Sequence, residues 1–153
     1  MDQDPFPAGQ GRPEYGQVHP IRQRNAMERL LCQVCGGPAD RNRDGTFWLL
    51  GDDPQDPVVP TDHEGILTAH PPLCLPCARI SVSACPHLRE QYVALRVRHV
   101  ERAGVRGALY RPATPKPVAV DAVGISFDDP VINWVRAGQL LLRLTDYHPV
   151  ELP

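Results

Sequence analysis

Apolar positions along the chain come in short bursts separated by polar, proline-bearing spacers. Thr46-Phe47-Trp48-Leu49-Leu50 is a compact strand candidate following the turn Arg43-Asp44-Gly45. Ile66-Leu67-Thr68 reads as its returning strand, which predicts a long-looped hairpin over residues 46–68 with an acidic loop at 51–64. Residues 91–100 then alternate, with Val93, Leu95 and Val97 on one face and Tyr92, Ala94, Arg96 and Arg98 on the other. Glu101-Arg102-Ala103-Gly104 predicts a turn, residues 105–110 a return strand, and residues 118–127 a third strand after the stiff linker Thr114-Pro115-Lys116-Pro117.

Helical signals are fewer. Asp129 can cap a helix, Pro130 suits its first position, and Val131, Ile132, Val135, Leu141, Leu142 and Leu144 sit at helical spacing, predicting a helix over about 130–145. Residues 26–31 predict a short helix or strand, and residues 78–84 a helical turn or two. Residues 1–25, rich in Pro, Gly and Gln, predict a disordered leader. Residues 26–147 then form a single α+β domain, a small antiparallel sheet with the C-terminal helix packed on it, and residues 148–153 a tail.

Composition sharpens this only in part. Eighteen prolines and twelve glycines in 153 residues favour loops, and with few aromatics the core must rest on Val, Leu, Ala and Ile. Such a core is modest at this length, so a bound metal would add useful stability. Lys116 is the only lysine against fifteen arginines, a bias that a GC-rich genome explains without nucleic-acid binding. Charge is uneven: residues 40–64 carry two Arg against seven acids, and residues 78–111 carry seven Arg against Glu90 and Glu101. An acidic segment and a basic one suggest an oriented partner, self-association or a complement within the fold. No apolar run approaches the roughly 18 residues that cross a bilayer. The first residues lack a basic and an apolar region, so a cytoplasmic setting with reduced thiols is expected.

Two Cys-x-x-Cys pairs carry the chemistry: Cys32-Gln33-Val34-Cys35 and Cys74-Leu75-Pro76-Cys77. Two chelating pairs of thiolates suit one tetrahedral Zn²⁺, each closing a small ring on the metal. Gly36-Gly37 lets the chain reverse beneath the first pair. A closed four-thiolate site has no open position for water or substrate, so such a zinc is structural. Cys85, two helical turns beyond Cys77 on roughly the same face, could replace a member of the pair but is expected to pack as a small apolar residue near the metal, and His87 to cap or face solvent.

Knuckle, hairpin and a helix starting at the second pair resemble the treble-clef zinc fingers over residues 30–87, with Cys32, Cys35 and Gly36 matching the knuckle and Cys74 and Cys77 the helix start. The strings from Trp48 to Asp52 and from His70 to Ala78 also resemble small zinc-bearing proteins common in actinobacteria. The closed metal site, the lack of a catalytic signature and the basic strand face point to a zinc-stabilised, non-catalytic binding or regulatory module for a protein or nucleic-acid partner, with a homo-oligomer as a further expectation. Arg96, Arg98, Arg106 and Arg111, with Tyr92 and Tyr110 nearby, are the candidate nucleic-acid contacts. An alternative comes from the HNH nucleases, which share the treble clef. Asp62-His63 falls where that family has its catalytic histidine and His70 lies before Cys74, but residues 64–73 hold no asparagine and no His-x-x-x-His or like pair follows on the helix to cage a catalytic metal. A thioredoxin-like redox role would use Cys74 and Cys77 and leave the first pair unexplained.

Overall fold

The computed structural model describes residues 19–51, 65–86, 88 and 91–153. The expected leader up to residue 18, most of the acidic loop, His63 and His87 lie outside them.

Helix α1 (Pro20–Arg29) begins earlier than the sequence pattern suggested. His19 caps it by accepting from the Arg22 N–H, Pro20 occupies the first turn, and Leu30 in the left-handed region ends it. Its inward face is Gln23, Ala26 and Met27. Strands β1 (Arg41–Asn42) and β2 (Gly45–Gly51) form a tight hairpin whose turn is held by the Asp44 N–H donating to Asn42 Oδ1 at 2.8 Å. Then come β3 (Ile66–Thr68), α2 (Leu75–Ala84), β4 (Tyr92–Arg111), β5 (Val118–Ser126), a 3-10 helix (Pro130–Trp134) and β6 (Val135–Val150).

All six strands join one antiparallel sheet in the order β1-β2-β4-β6-β3, with β5 also paired to β4. Three sequence expectations change. The hairpin over 46–68 does not form: β2 pairs β4 and β3 pairs β6, so the two strands are partners of different neighbours. Nor does the chain turn at residues 101–104, because β6 supplies partners along almost the whole of β4 and carries it straight through with a bulge at Ala103. Gly104 serves close approach instead: a Cβ there would collide with the Ile125 carbonyl of β5.

The third change is the C-terminal helix. Asp129 does cap a helical turn, its Oδ1 accepting from the Val131 N–H at 2.9 Å, but this 3-10 helix stops at Trp134. The chain continues as β6, whose last part, residues 148–150, belongs to the expected tail. Residues 140–144 are a run of leucines broken only by Arg143, and such a run satisfies either period. Here the period-two set Leu140, Leu142 and Leu144 enters the core.

The sheet is covered on both faces where it meets the helices. Every β2 residue from Gly45 to Leu50 is buried. Trp48 and Leu50 join Met27 of α1 with Ile66, Leu95, Val97, Leu140, Leu142 and Leu144. Phe47 and Leu49 face the other way, onto Cys32, Leu73, Cys77, Ala78 and Ala94. Beyond this lobe β4, β5 and the start of β6 continue as a three-stranded arm. β2 and β5 occupy successive stretches of one edge of β4, and β6 holds the other edge. No helix among the described residues is long and apolar enough to cross a membrane.

Candidate metal centre

The first Cys pair sits in a reversal between α1 and β1. The Gly36 N–H donates to the Cys32 carbonyl at 2.9 Å, the Cys32 N–H to the Gly37 carbonyl at 2.7 Å, and Leu31 bridges Pro38. Gly36 adopts φ +73, the left-handed conformation that an L side chain rarely takes, and completes the reversal. Arg22 of α1 clamps the outside of this turn through Nη2 to the Val34 carbonyl at 2.8 Å. The second pair is fixed by α2: Cys74 is its N-cap residue, Cys77 lies in the first turn, and Ala78 N–H donates to the Cys74 carbonyl at 3.0 Å. Two backbone bonds tie the halves together, Gln33 N–H to Pro72 O at 3.0 Å and Asp40 N–H to Leu73 O at 3.0 Å.

These supports bring Cys32, Cys35, Cys74 and Cys77 into one cluster with all four sulfurs within 4.8 Å of one another. Cys35 Sγ and Cys74 Sγ are 3.8 Å apart. That is far beyond a disulfide bond of about 2.05 Å. It matches the edge of a tetrahedron whose corners lie about 2.3 Å from a central zinc, an edge of roughly 3.8 Å. All four are free thiols, with Cys32 and Cys77 buried, Cys74 half-buried and Cys35 exposed.

The electrostatics of the cluster call for a cation. Burial opposes ionisation of Cys32, but backbone N–H groups of Cys35, Cys74 and Val34 outweigh it and bring its thiol down to about 7. Cys77 moves the opposite way, to about 12, through its hydrogen bond with Cys74, burial, and the neighbouring Cys32 and Cys35 sulfurs. Burial also raises Cys74. One thiolate forms readily and makes the next harder, which a divalent ion at the centre reverses.

The cluster takes in no other Cys, His or acidic side chain among the described residues. Cys85 is the C-cap residue of α2, half-buried and outside it. His70 is also outside: its N–H donates to Thr68 Oγ1 at 3.0 Å and its carbonyl accepts from Trp48 Nε1 at 2.9 Å.

The four arginines expected to contact nucleic acid do not form one surface. Arg96 is buried, paired to Asp40 Oδ2 at 2.6 Å, bonded to the Gly45 carbonyl at 3.3 Å and stacked over the Phe47 ring at 5.3 Å. It anchors the β1–β2 hairpin to β4 and presents no cation to a partner. Period-two alternation put Arg96 on a solvent face, whereas both faces of this stretch are covered. Arg98 is half-exposed, 3.7 Å from Asp44 and 3.8 Å from Asp146. Arg106 and Arg111 lie on the arm, half-buried and exposed respectively. Of the residues grouped around Trp134, the sequence pointed only to Tyr110, because the others come from the linker before β5, the 3-10 helix and the start of β6.

No protein family, curated protein or solved structure matches this chain.

Proposed function

We propose that this chain is a zinc-stabilised, non-catalytic binding module for a protein or nucleic-acid partner, its zinc held by Cys32, Cys35, Cys74 and Cys77. The observation that carries this reading is the closed four-sulfur cluster, with donors enough to fill a tetrahedral ion and no further His or carboxylate beside it among the described residues. A zinc so enclosed lends folding free energy and does not activate water. The knuckle at Cys32, the tight β1–β2 hairpin and the helix that begins after Cys74 follow the order of a treble clef, which supports the assignment.

Metal analysis of the purified chain tests it. One tightly held zinc per chain is expected, and Cys74→Ser should lose both the metal and the folded state. Structural zinc sites of this kind are worth on the order of 10 kcal/mol, more than a domain of this size can spare. A second metal equivalent that survives Cys74→Ser, together with divalent-metal-dependent nicking of plasmid DNA lost in His63→Ala or His70→Ala, would replace this reading with the nuclease one.

A further inference from the structure

The two tryptophans are used in opposite ways. Trp48 is fully buried, with Nε1 bonded to the His70 carbonyl. Trp134, the last residue of the 3-10 helix, is 44% exposed. A large ring left in water contributes little to folding, and such rings mark contact surfaces when polar recognition groups lie beside them.

Trp134 has such neighbours. The β4–β6 register sets Arg136 opposite Ala108, so Arg136 and Tyr110, two residues further along β4, project from the same face of the arm. The linker between β4 and β5 brings Lys116, the only lysine in the chain, to the same place. Together these side chains and Asn133 line an open groove of about 510 Å³. It holds two aromatic rings and two cations, and no carboxylate among the described residues lines it.

We propose that this groove binds single-stranded nucleic acid, a refinement that rests on the binding-module reading above. Trp134 and Tyr110 offer ring faces on which bases stack, whatever the sequence, while Lys116 and Arg136 meet the flanking phosphates. Charge favours this occupant over an apolar peptide, which would leave both cations without a counter-charge in the contact. The net charge of −2 is no obstacle, because the described residues that line the groove carry only positive charge.

The test uses the full zinc-loaded chain and a fluorescein-labelled oligothymidylate of about twelve nucleotides, a length that spans a typical single-strand site. Binding should quench Trp134 emission and leave the Trp48 signal intact. Neutralising two phosphates predicts a log–log salt slope of about −1.4, a roughly sevenfold loss of affinity between about 50 and about 200 mM salt. Lys116→Gln and Arg136→Gln should each remove about 0.7 from that slope. Trp134→Ala should weaken binding at least about fivefold, while Trp134→Phe keeps the affinity and abolishes the quench. Metal content and circular dichroism on the same samples separate a failure here from a failure of the zinc assignment. Absence of binding by folded, zinc-loaded protein at low salt would overturn the proposal. So would binding indifferent to Lys116→Gln, Arg136→Gln and Trp134→Ala. A concentration-dependent change in Trp134 emission without oligonucleotide would assign the groove to a second copy of the chain instead.

Discussion

β4 is one continuous strand in two environments. Residues 94–97 are all buried, with the α1 side of the lobe on one face and the metal side on the other. In the arm, β4 pairs with β5, a strand in which only Ile125 is buried. Five of the exposed large apolar side chains, Val118, Val120, Phe127, Val131 and Trp134, belong to β5 or to the segment that links it to β6. The same backbone ladder thus runs from a region organised for packing into one that leaves its side chains available. Stability concentrates in the lobe and recognition can be carried by the arm, because a change at the arm's surface costs the fold little.

That division is open to attack by matched substitutions. Disruption of the four-cysteine cluster by Cys74→Ser is the largest expected effect, since it removes the support of one whole side of the sheet. Next comes a comparison of Leu144→Ala with Val120→Ala. Leu144 is completely buried between Ile66 of β3 and Val100 of β4, and its truncation should cost about 3 kcal/mol. Val120 is 48% exposed, and its truncation should stay within about 0.5 kcal/mol. Urea titrations of the two variants measure both. A cost of more than about 1.5 kcal/mol at Val120 would show that the arm is part of the packed structure and break the contrast.

A smaller contrast lies within β4 itself. Arg96→Ala strands Asp40 beside a buried gap and removes the stacking on Phe47, for an expected loss of about 2 kcal/mol. Arg98→Ala, two residues along, breaks only solvent-exposed pairs and should cost about 0.5 kcal/mol or less. Similar losses at both positions would mean that Arg98 is held more firmly than its distances from Asp44 and Asp146 imply.

What could be read from the sequence follows from how local each signal is. The Cys-x-x-Cys pairs, the turn at Gly36 and the cap at Asp129 involve residues within a few positions of each other, and each is found where its local chemistry puts it. Strand partnership is not local. Residues 46–50 and 66–68 both look like strands and both are, yet nothing in either says that β4 and β6 would claim them separately. Gly104 illustrates a signal with two meanings, a turn or a close approach between strands, and only the pairing with Ile125 decides. The leucines of β6 fit a helix and a strand equally well, and β4, offering a long unpaired edge, selects the strand. Gln23 could not have been found at all, because an isolated glutamine in a polar stretch resembles any other surface residue.

Gln23 provides the finest test. Its side chain, though polar, is buried, and every hydrogen-bonding group faces a backbone partner: Nε2 donates to Ala69 O at 2.8 Å and Leu140 O at 2.9 Å, and Oε1 accepts from Leu140 N–H at 2.9 Å. The amide therefore stands in for a strand at this point, joining α1 to β6 and to the segment after β3. Gln23→Glu keeps the shape and the acceptor but, when ionised, turns a carboxylate oxygen toward two carbonyls. The variant should be destabilised by about 2 kcal/mol at neutral pH. Burial and the carbonyl dipoles would raise the folded-state pKa of that carboxyl above its unfolded value of about 4.3. Protonation restores an O–H donor, so the stability gap to the wild type should hold steady near neutral pH and narrow as pH falls from about 6 to about 4.5, by up to about 1.4 kcal/mol per pH unit. Measuring the gap against wild type at each pH cancels the acid sensitivity of the four-cysteine cluster, which both proteins share. A gap that stays constant over this range would mean that the glutamate side chain has swung out to solvent, and that α1 is held to the sheet by Met27 and Ala26 without the amide.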